Sequence, residues 1–203
     1  MLPRQEELTK QHPVAQTTLM GITKTIFSGF GGQGVLMMGY VLATSGMHED
    51  KHVTFLPSYG AEVRGGTANC TVTVSDEPIA SPVASFSDFA VLMNTPSLIR
   101  FETRVKTEGI VFLNGDLVEL RPKRRDIQVV AIPANSIAER LGNVRGANMV
   151  MIGALVQKTG LVSLKSVIKS AKGIFEKKGS KVQKMNTLAI KEGAAFVNGV
   201  SGS

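Results

Sequence analysis

Residues 29–34 read Gly29-Phe30-Gly31-Gly32-Gln33-Gly34, between a strand-like run, Thr23 to Ser28, and an apolar run, Val35 to Ala43. That order predicts a strand, a glycine turn and a helix start, the unit from which α/β sheets are built. Such a turn points several backbone N–H groups and the positive end of the helix dipole at one spot. It suits a phosphate or pyrophosphate, which glycine allows to approach the backbone closely. The alternative is that the glycines serve only a tight turn and close packing of helix on sheet. The spacing Gly29, Gly31, Gly34 matches a dinucleotide fingerprint, which also requires an acidic residue about 20 positions on, at the carboxyl end of the second strand. Glu49 has the distance, yet it precedes the strand His52 to Leu56, whose far end offers Pro57-Ser58-Tyr59 instead. No Lys follows Gly34, so the nucleoside-triphosphate pattern with its phosphate-gripping Lys is absent as well.

The rest of the chain continues the alternation. Asn69 to Ser75, Phe89 to Asn94, Gly109 to Asn114 and Ile127 to Ile132 read as strands. Pro96 opens a helix after the second of these, and Ser136-Ile137-Ala138-Glu139 fits a capping box at the start of another, which Gly142 ends. Met149 to Val156 is apolar on all sides and predicts a buried helix. An amphipathic helix runs from Ser163 to Lys178, with Leu164, Val167, Ile168, Ala171 and Phe175 on one stripe, and a last helix covers Asn186 to Val197. The fold class is therefore α/β: a single Rossmann-like domain with a mostly parallel sheet flanked by helices on both faces. Residues 1–21 read as a polar N-terminal tail, 22–198 as the domain and 199–203 as a flexible tail.

Composition narrows the function classes. The single cysteine, Cys70, cannot close a disulfide within the chain or build a thiolate cage for zinc or an iron–sulfur cluster. No signal peptide and no run of about 18 apolar residues occurs, so a cytoplasmic chain with no membrane partner is expected. The net charge of +7 is concentrated between Lys158 and Lys191, where nine Lys face one acid, Glu176. Those lysines fall off the apolar stripe, as in an ordinary surface helix, and with 5% aromatic residues, no Trp and no recognised motif, nucleic acid is not an expected partner. Arg121-Pro122-Lys123-Arg124-Arg125 reads as a charged loop between strands. His48-Glu49-Asp50-Lys51-His52 matches a zinc-protease pattern, but that pattern needs an unbroken helix, and here Gly46 precedes it and a β-branched run follows. No metal site is assigned.

The segment Pro57 to Cys70 sets Tyr59, Glu62 and Arg64 among Gly60, Gly65 and Gly66, after a strand end on the ligand-binding side of such a sheet. Either it meets a ligand or a partner, or Glu62 and Arg64 simply pair in a solvated loop. The glycine turn, the Pro57 to Gly66 wording and Asn148-Met149-Val150-Met151-Ile152-Gly153-Ala154, taken in order, resemble the gamma subunit of 2-oxoacid:ferredoxin oxidoreductases over most of the chain. Ser58-Tyr59-Gly60-Ala61-Glu62-Val63-Arg64-Gly65-Gly66 is nearer the 2-oxoglutarate or branched-chain type than the pyruvate type.

The resemblance implies a subunit of an enzyme that oxidatively decarboxylates a 2-oxoacid to acyl-CoA and CO2 and reduces ferredoxin, in anaerobic metabolism. It implies alpha and beta partners, and delta where present, that carry thiamine diphosphate, Mg and the iron–sulfur clusters. No Gly-Asp-Gly thiamine diphosphate signature is present here; Asn114-Gly115-Asp116 does not fit. This chain would contribute coenzyme A binding and assembly. Gly29, Gly31, Gly32, Gln33 and Gly34 would form an anion-binding or subunit-facing turn, with the Gln33 amide donating to a phosphate or a neighbouring carbonyl. Ser58, Tyr59, Gly60, Glu62, Arg64, Gly65 and Gly66 would form an interface or ligand loop, and Asn94 and Asn148 would fix backbone near the same edge. None of these residues is assigned as a catalytic acid, base or nucleophile. The competing readings are a free-standing nucleotide-binding protein or small reductase, which would bind a dinucleotide by itself, and a structural subunit without a ligand.

Overall fold

A computed structural model describes residues 21–58, 68–81 and 85–200. Six strands form one sheet in the order β2-β3-β1-β4-β5-β6: β1 (Thr23–Gly29), β2 (His52–Ser58), β3 (Ala68–Ser75), β4 (Ser87–Leu92), β5 (Val105–Asn114) and β6 (Gln128–Ile132). β1, β4, β5 and β6 run parallel, whereas β3 lies antiparallel between β1 and β2. The α/β class with a mostly parallel sheet therefore holds.

Alternation along each strand assigns the two faces. Phe27, Val72, Val91 and Phe112 face the larger core, which is closed by α1 (Val35–Met47), α3 (Ala134–Arg140), α4 (Ala147–Thr159), α5 (Leu164–Ile174) and α6 (Ser180–Val200). Ile26, Ala90, Leu92, Val111 and Leu113 face a smaller core under α2 (Thr95–Phe101) and the segment carrying Val118 and Ile127. Helices flank both faces, but unevenly. The α4 helix is buried at every residue from Ala147 to Val156, as its all-round apolar sequence requires. It crosses α6 so closely that Gly153 and Gly193 each face the backbone of the other helix.

Several expected boundaries move. The strand expected to end in Asn94 ends at Leu92, because Asn94 is the cap of α2: its side chain accepts from the Ser97 N–H, with Pro96 in the first turn. The capping box is a correction. The α3 helix starts at Ala134, after Pro133, so Ser136 sits inside its first turn, and Asp116 accepts both the Ser136 N–H and its hydroxyl at 2.8 Å. Helix α5 ends at Ile174 rather than Lys178, with a single 3-10 turn over Glu176–Lys178 after it. Helix α6 begins at Ser180, not Asn186, because Gly179 at φ 89° reverses the chain, and the Gln183 side chain donates to the Lys172 carbonyl near the α5 terminus.

His48 caps the end of α1 and His52 opens β2, with Asp50 at φ 56° between them, so the two imidazoles straddle a turn. Among the described residues no group of His, Cys, Asp and Glu can hold a metal ion, and no helix is long and apolar enough to cross a membrane.

Cys70 is fully buried between α1 and β3, and burial pushes its thiol up to about 12. The thiolate is the reactive form, so the folded chain resists iodoacetamide at pH 8 and reacts after urea unfolding. Stoichiometric alkylation of the folded chain within minutes, read by mass spectrometry, would contradict this packing.

Candidate functional site

At the carboxyl edge of β1 the chain leaves the sheet at Gly29 and turns into α1 at Gly34. The Gln33 N–H donates to the Phe30 carbonyl at 3.2 Å, and the Gln33 side-chain carbonyl accepts from the Phe30 N–H at 2.6 Å and from Asn94 Nδ2 at 3.0 Å. Gln33 Nε2 reaches the Met93 carbonyl at 3.5 Å. Gln33 thus braces the turn against the end of β4, and its amide faces a neighbouring carbonyl rather than solvent. A side chain at Gly29 would collide with Gln33, Met93 and Val35 at 2.7–2.8 Å, whereas Gly31 has open space around it and Gly32 sits at φ 90°.

Gly34 is at φ 72°, and a Cβ there would lie 2.2 Å from Asn148 Nδ2, which donates to the Gly34 carbonyl at 3.4 Å. Asn148 lies in the first turn of α4. The amino ends of two helices, each 13 residues long, therefore meet at this point. The first-turn N–H groups of any helix have no intrahelical acceptor. Neither helix has an acidic residue in its first turn, so no carboxylate of either helix offsets the two positive dipole ends, while the Met149 N–H in the first turn of α4 is already accepted by Asn148 Oδ1 at 2.9 Å. Arg145, exposed just before α4, adds positive charge at that helix start, and Phe30 and Gly31 are exposed in the glycine turn. The arrangement can hold an anion. Among the described residues it offers amides and N–H groups, and no acid, base or nucleophile.

Half of the fourteen predicted residues gather here: Gly29, Gln33, Gly34, Asn94 and Asn148 are joined by the contacts above, and Gly31 and Gly32 lie in the same turn. Ser58 ends β2 at the same sheet edge, paired with Asn69, which itself pairs with Ser28. Tyr59, Gly60, Glu62, Arg64, Gly65 and Gly66 lie outside the described residues. Because β3 separates β1 from β2, the β2 end is displaced from the glycine turn by two strand spacings, about 10 Å. A dinucleotide fold needs those strands adjacent and a carboxylate where Ser58 stands.

Glu49 is elsewhere. It belongs to a cleft of about 1410 Å³ at the opposite sheet edge, lined also by Lys51, Asp76, Gln128, Lys158 and Ser163. Its carboxylate accepts the Ser163 N–H at 2.7 Å and so caps α5. Burial alone would raise its pKa, but hydrogen bonds from Ser163 and Ser166, with Lys51 nearby, outweigh it and hold the group below the ordinary carboxylate value. Sequence reasoning missed Arg145 and the meeting of α1 with α4; the signal for the first was a basic residue directly before Gly146 and an uncapped helix start. It also missed the buried hydroxyl pair Ser28–Ser97, 3.0 Å apart, which ties β1 to α2 beneath the turn.

The profile of the family described as pyruvate ferredoxin/flavodoxin oxidoreductase matches residues 24–196. A 2-oxoglutarate synthase subunit KorC of Methanocaldococcus jannaschii is 32% identical, over 82% of this chain and 89% of its own. A ketoisovalerate oxidoreductase subunit VorA of Methanothermobacter thermautotrophicus is 36% identical, over 83% of this chain and 35% of its own. The chain spans about a third of the length of such VorA relatives. The crystal structure of a keto/oxoacid ferredoxin oxidoreductase gamma subunit from Geobacter sulfurreducens superposes with a TM-score of 0.76 at 25% identity, covering 87% of this chain and 99% of that one.

Proposed function

This chain belongs to the pyruvate ferredoxin/flavodoxin oxidoreductase family, and we propose that it is the gamma subunit of a multi-subunit, cytoplasmic 2-oxoacid:ferredoxin oxidoreductase in which it binds coenzyme A and completes the assembly. The observation that carries the ligand reading is the junction of α1 and α4, whose paired amino ends meet without a carboxylate of their own. First-turn N–H groups of both helices other than that of Met149, together with Arg145, would hold the diphosphate of coenzyme A, with Gly31 and Gly32 allowing close approach. When bound, coenzyme A supplies the thiol that accepts the acyl group. This chain's residues position and neutralise the anion. They do not react.

Thiamine diphosphate, Mg and iron–sulfur clusters do not fit the described residues: there is no metal-binding group, and the one cysteine is buried with its thiol pushed up to about 12. Those groups belong to alpha and beta subunits, with ferredoxin as acceptor. For the 2-oxoacid we take 2-oxoglutarate, for which the KorC relatives are named, while the VorA relatives are named for ketoisovalerate. The free-standing dinucleotide reading is disfavoured by Ser58 and by the strand order.

Gly31 provides the test, because a side chain there meets nothing within 4 Å. In the assembled enzyme, Gly31→Asp raises the KM for coenzyme A about tenfold, equivalent to ~1.4 kcal/mol, and leaves kcat and thermal stability near wild type. Gly31→Ser changes neither. An unchanged KM in an intact Gly31→Asp complex would show that coenzyme A does not meet this turn.

A further inference from the structure

On the face opposite α1 and α4, residues 117–127 run beside α2 as a strap fastened at both ends. At the carboxyl edge, Thr95 Oγ1 contacts the Leu117 carbonyl and the Glu119 N–H at 3.4 Å. At the other end the Arg124 N–H donates to the Glu102 carboxylate at 2.7 Å, and its guanidinium reaches the Glu102 and Val105 carbonyls and the Asp126 carboxylate. Val118 and Ile127 point inward with Leu98 and Phe101. Residues 120–123 therefore lie alongside the body of α2.

The outer surface of this pair is unlike a solvated face. Ile99 is 66% exposed, Leu120 50% and Leu117 39%. Arg100 and Arg104 on the α2 side and Arg121 and Lys123 on the strap are exposed. The Arg100 and Arg104 guanidiniums lie over the Phe101 ring at 5.4 and 5.6 Å, which orders both before any partner arrives. Among the described residues, three nearby carboxylates are turned to internal work: Glu102 is buried against Arg124, Asp126 pairs with Arg124, and Asp116 holds Ser136. Glu119 remains as the exposed acid of the strap.

An apolar centre ringed by ordered arginines has the composition of a protein interface core and rim, and its sign selects the partner. We propose that the α2–strap face docks an acidic protein surface on a companion subunit of the complex, with carboxylates meeting Arg121 and Lys123 around Ile99 and Leu120. This inference rests on the subunit reading above.

The test uses the complex purified with its companions. A water-soluble carbodiimide links Lys123 to an Asp or Glu of a companion subunit, located by mass spectrometry. Arg121→Glu with Lys123→Glu weakens retention of that companion at least tenfold and removes most of its salt dependence. Both side chains are exposed, and the thermal midpoint of the isolated variant stays at the wild-type value, which separates lost docking from lost folding. Crosslinks to a second copy of this chain, nucleic acid in place of a companion, or an intact complex that ignores the charge reversal would each overturn the inference. A wild-type chain that purifies without companions would refute the subunit reading first.

Discussion

Gly153→Ala and Gly193→Ala each lower the thermal midpoint of the isolated chain by roughly 5–12 °C, a loss of about 2–4 kcal/mol. A Cβ at Gly153 would lie 2.0 Å from the Ile190 carbonyl oxygen, and one at Gly193 would lie 1.9 Å from that of Val150. Both obstacles are helix backbone, which has no rotamer to change. To accept one methyl, α4 and α6 must separate by about 1 Å, and α4 is the helix buried along ten successive residues. Separation opens gaps along the whole crossing. Replacing Gly by Ala within a helix recovers about 1 kcal/mol of propensity, which the overpacking exceeds. Because the two substitutions force the same separation, the double variant costs less than the sum of the singles. Midpoints unchanged from wild type would mean that the helices do not approach this closely.

Gly34→Ala is the second large effect, about 2–3 kcal/mol. The residue starts α1 at φ 72°, where a Cβ costs roughly 1 kcal/mol, and the same methyl overlaps the Asn148 amide at 2.2 Å. The two terms are separable. Asn148→Ala removes the overlaps at 2.2 and 2.8 Å and leaves only the Cβ at 3.2 Å and the backbone strain, so Gly34→Ala in an Asn148→Ala background costs only about 1 kcal/mol. A double-mutant cycle by urea unfolding then gives a coupling of 1 kcal/mol or more between residues 114 positions apart in sequence. Additive effects would show that α1 and α4 do not meet there. In the assembled enzyme the same Gly34→Ala change, by displacing the two helix ends, also raises the KM for coenzyme A.

Local chemistry made much of this legible. The Thr23 to Gly34 succession announced strand, turn and helix, Pro96 announced a helix start, and the apolar run Met149 to Val156 announced burial. What sequence could not supply was non-local. Nothing in Asn69 to Ser75 says that it lies antiparallel between β1 and β2, since strand order is set by pairing across 40 residues or more, as Ser28 and Asn69 show. The Ser136 assignment failed because a capping box reads only four consecutive residues, while the carboxylate that serves Ser136 is Asp116, 20 positions upstream. Ser180 to Met185 carries exposed lysines and little apolar periodicity, so the first turns of α6 left no sequence signature. At the site, Gln33, Asn94 and Asn148 were legible as amides near one edge. What sequence did not supply was the link between them, the Gln33 carbonyl shared between Phe30 and Asn94.

The measurement that bears most directly on the account is anaerobic isolation of this chain, untagged, from its native cells, with identification of what co-elutes. The subunit reading predicts companions that carry thiamine diphosphate and iron–sulfur clusters, together with 2-oxoacid oxidation that requires coenzyme A. A chain that elutes alone and binds NAD(H) would contradict it.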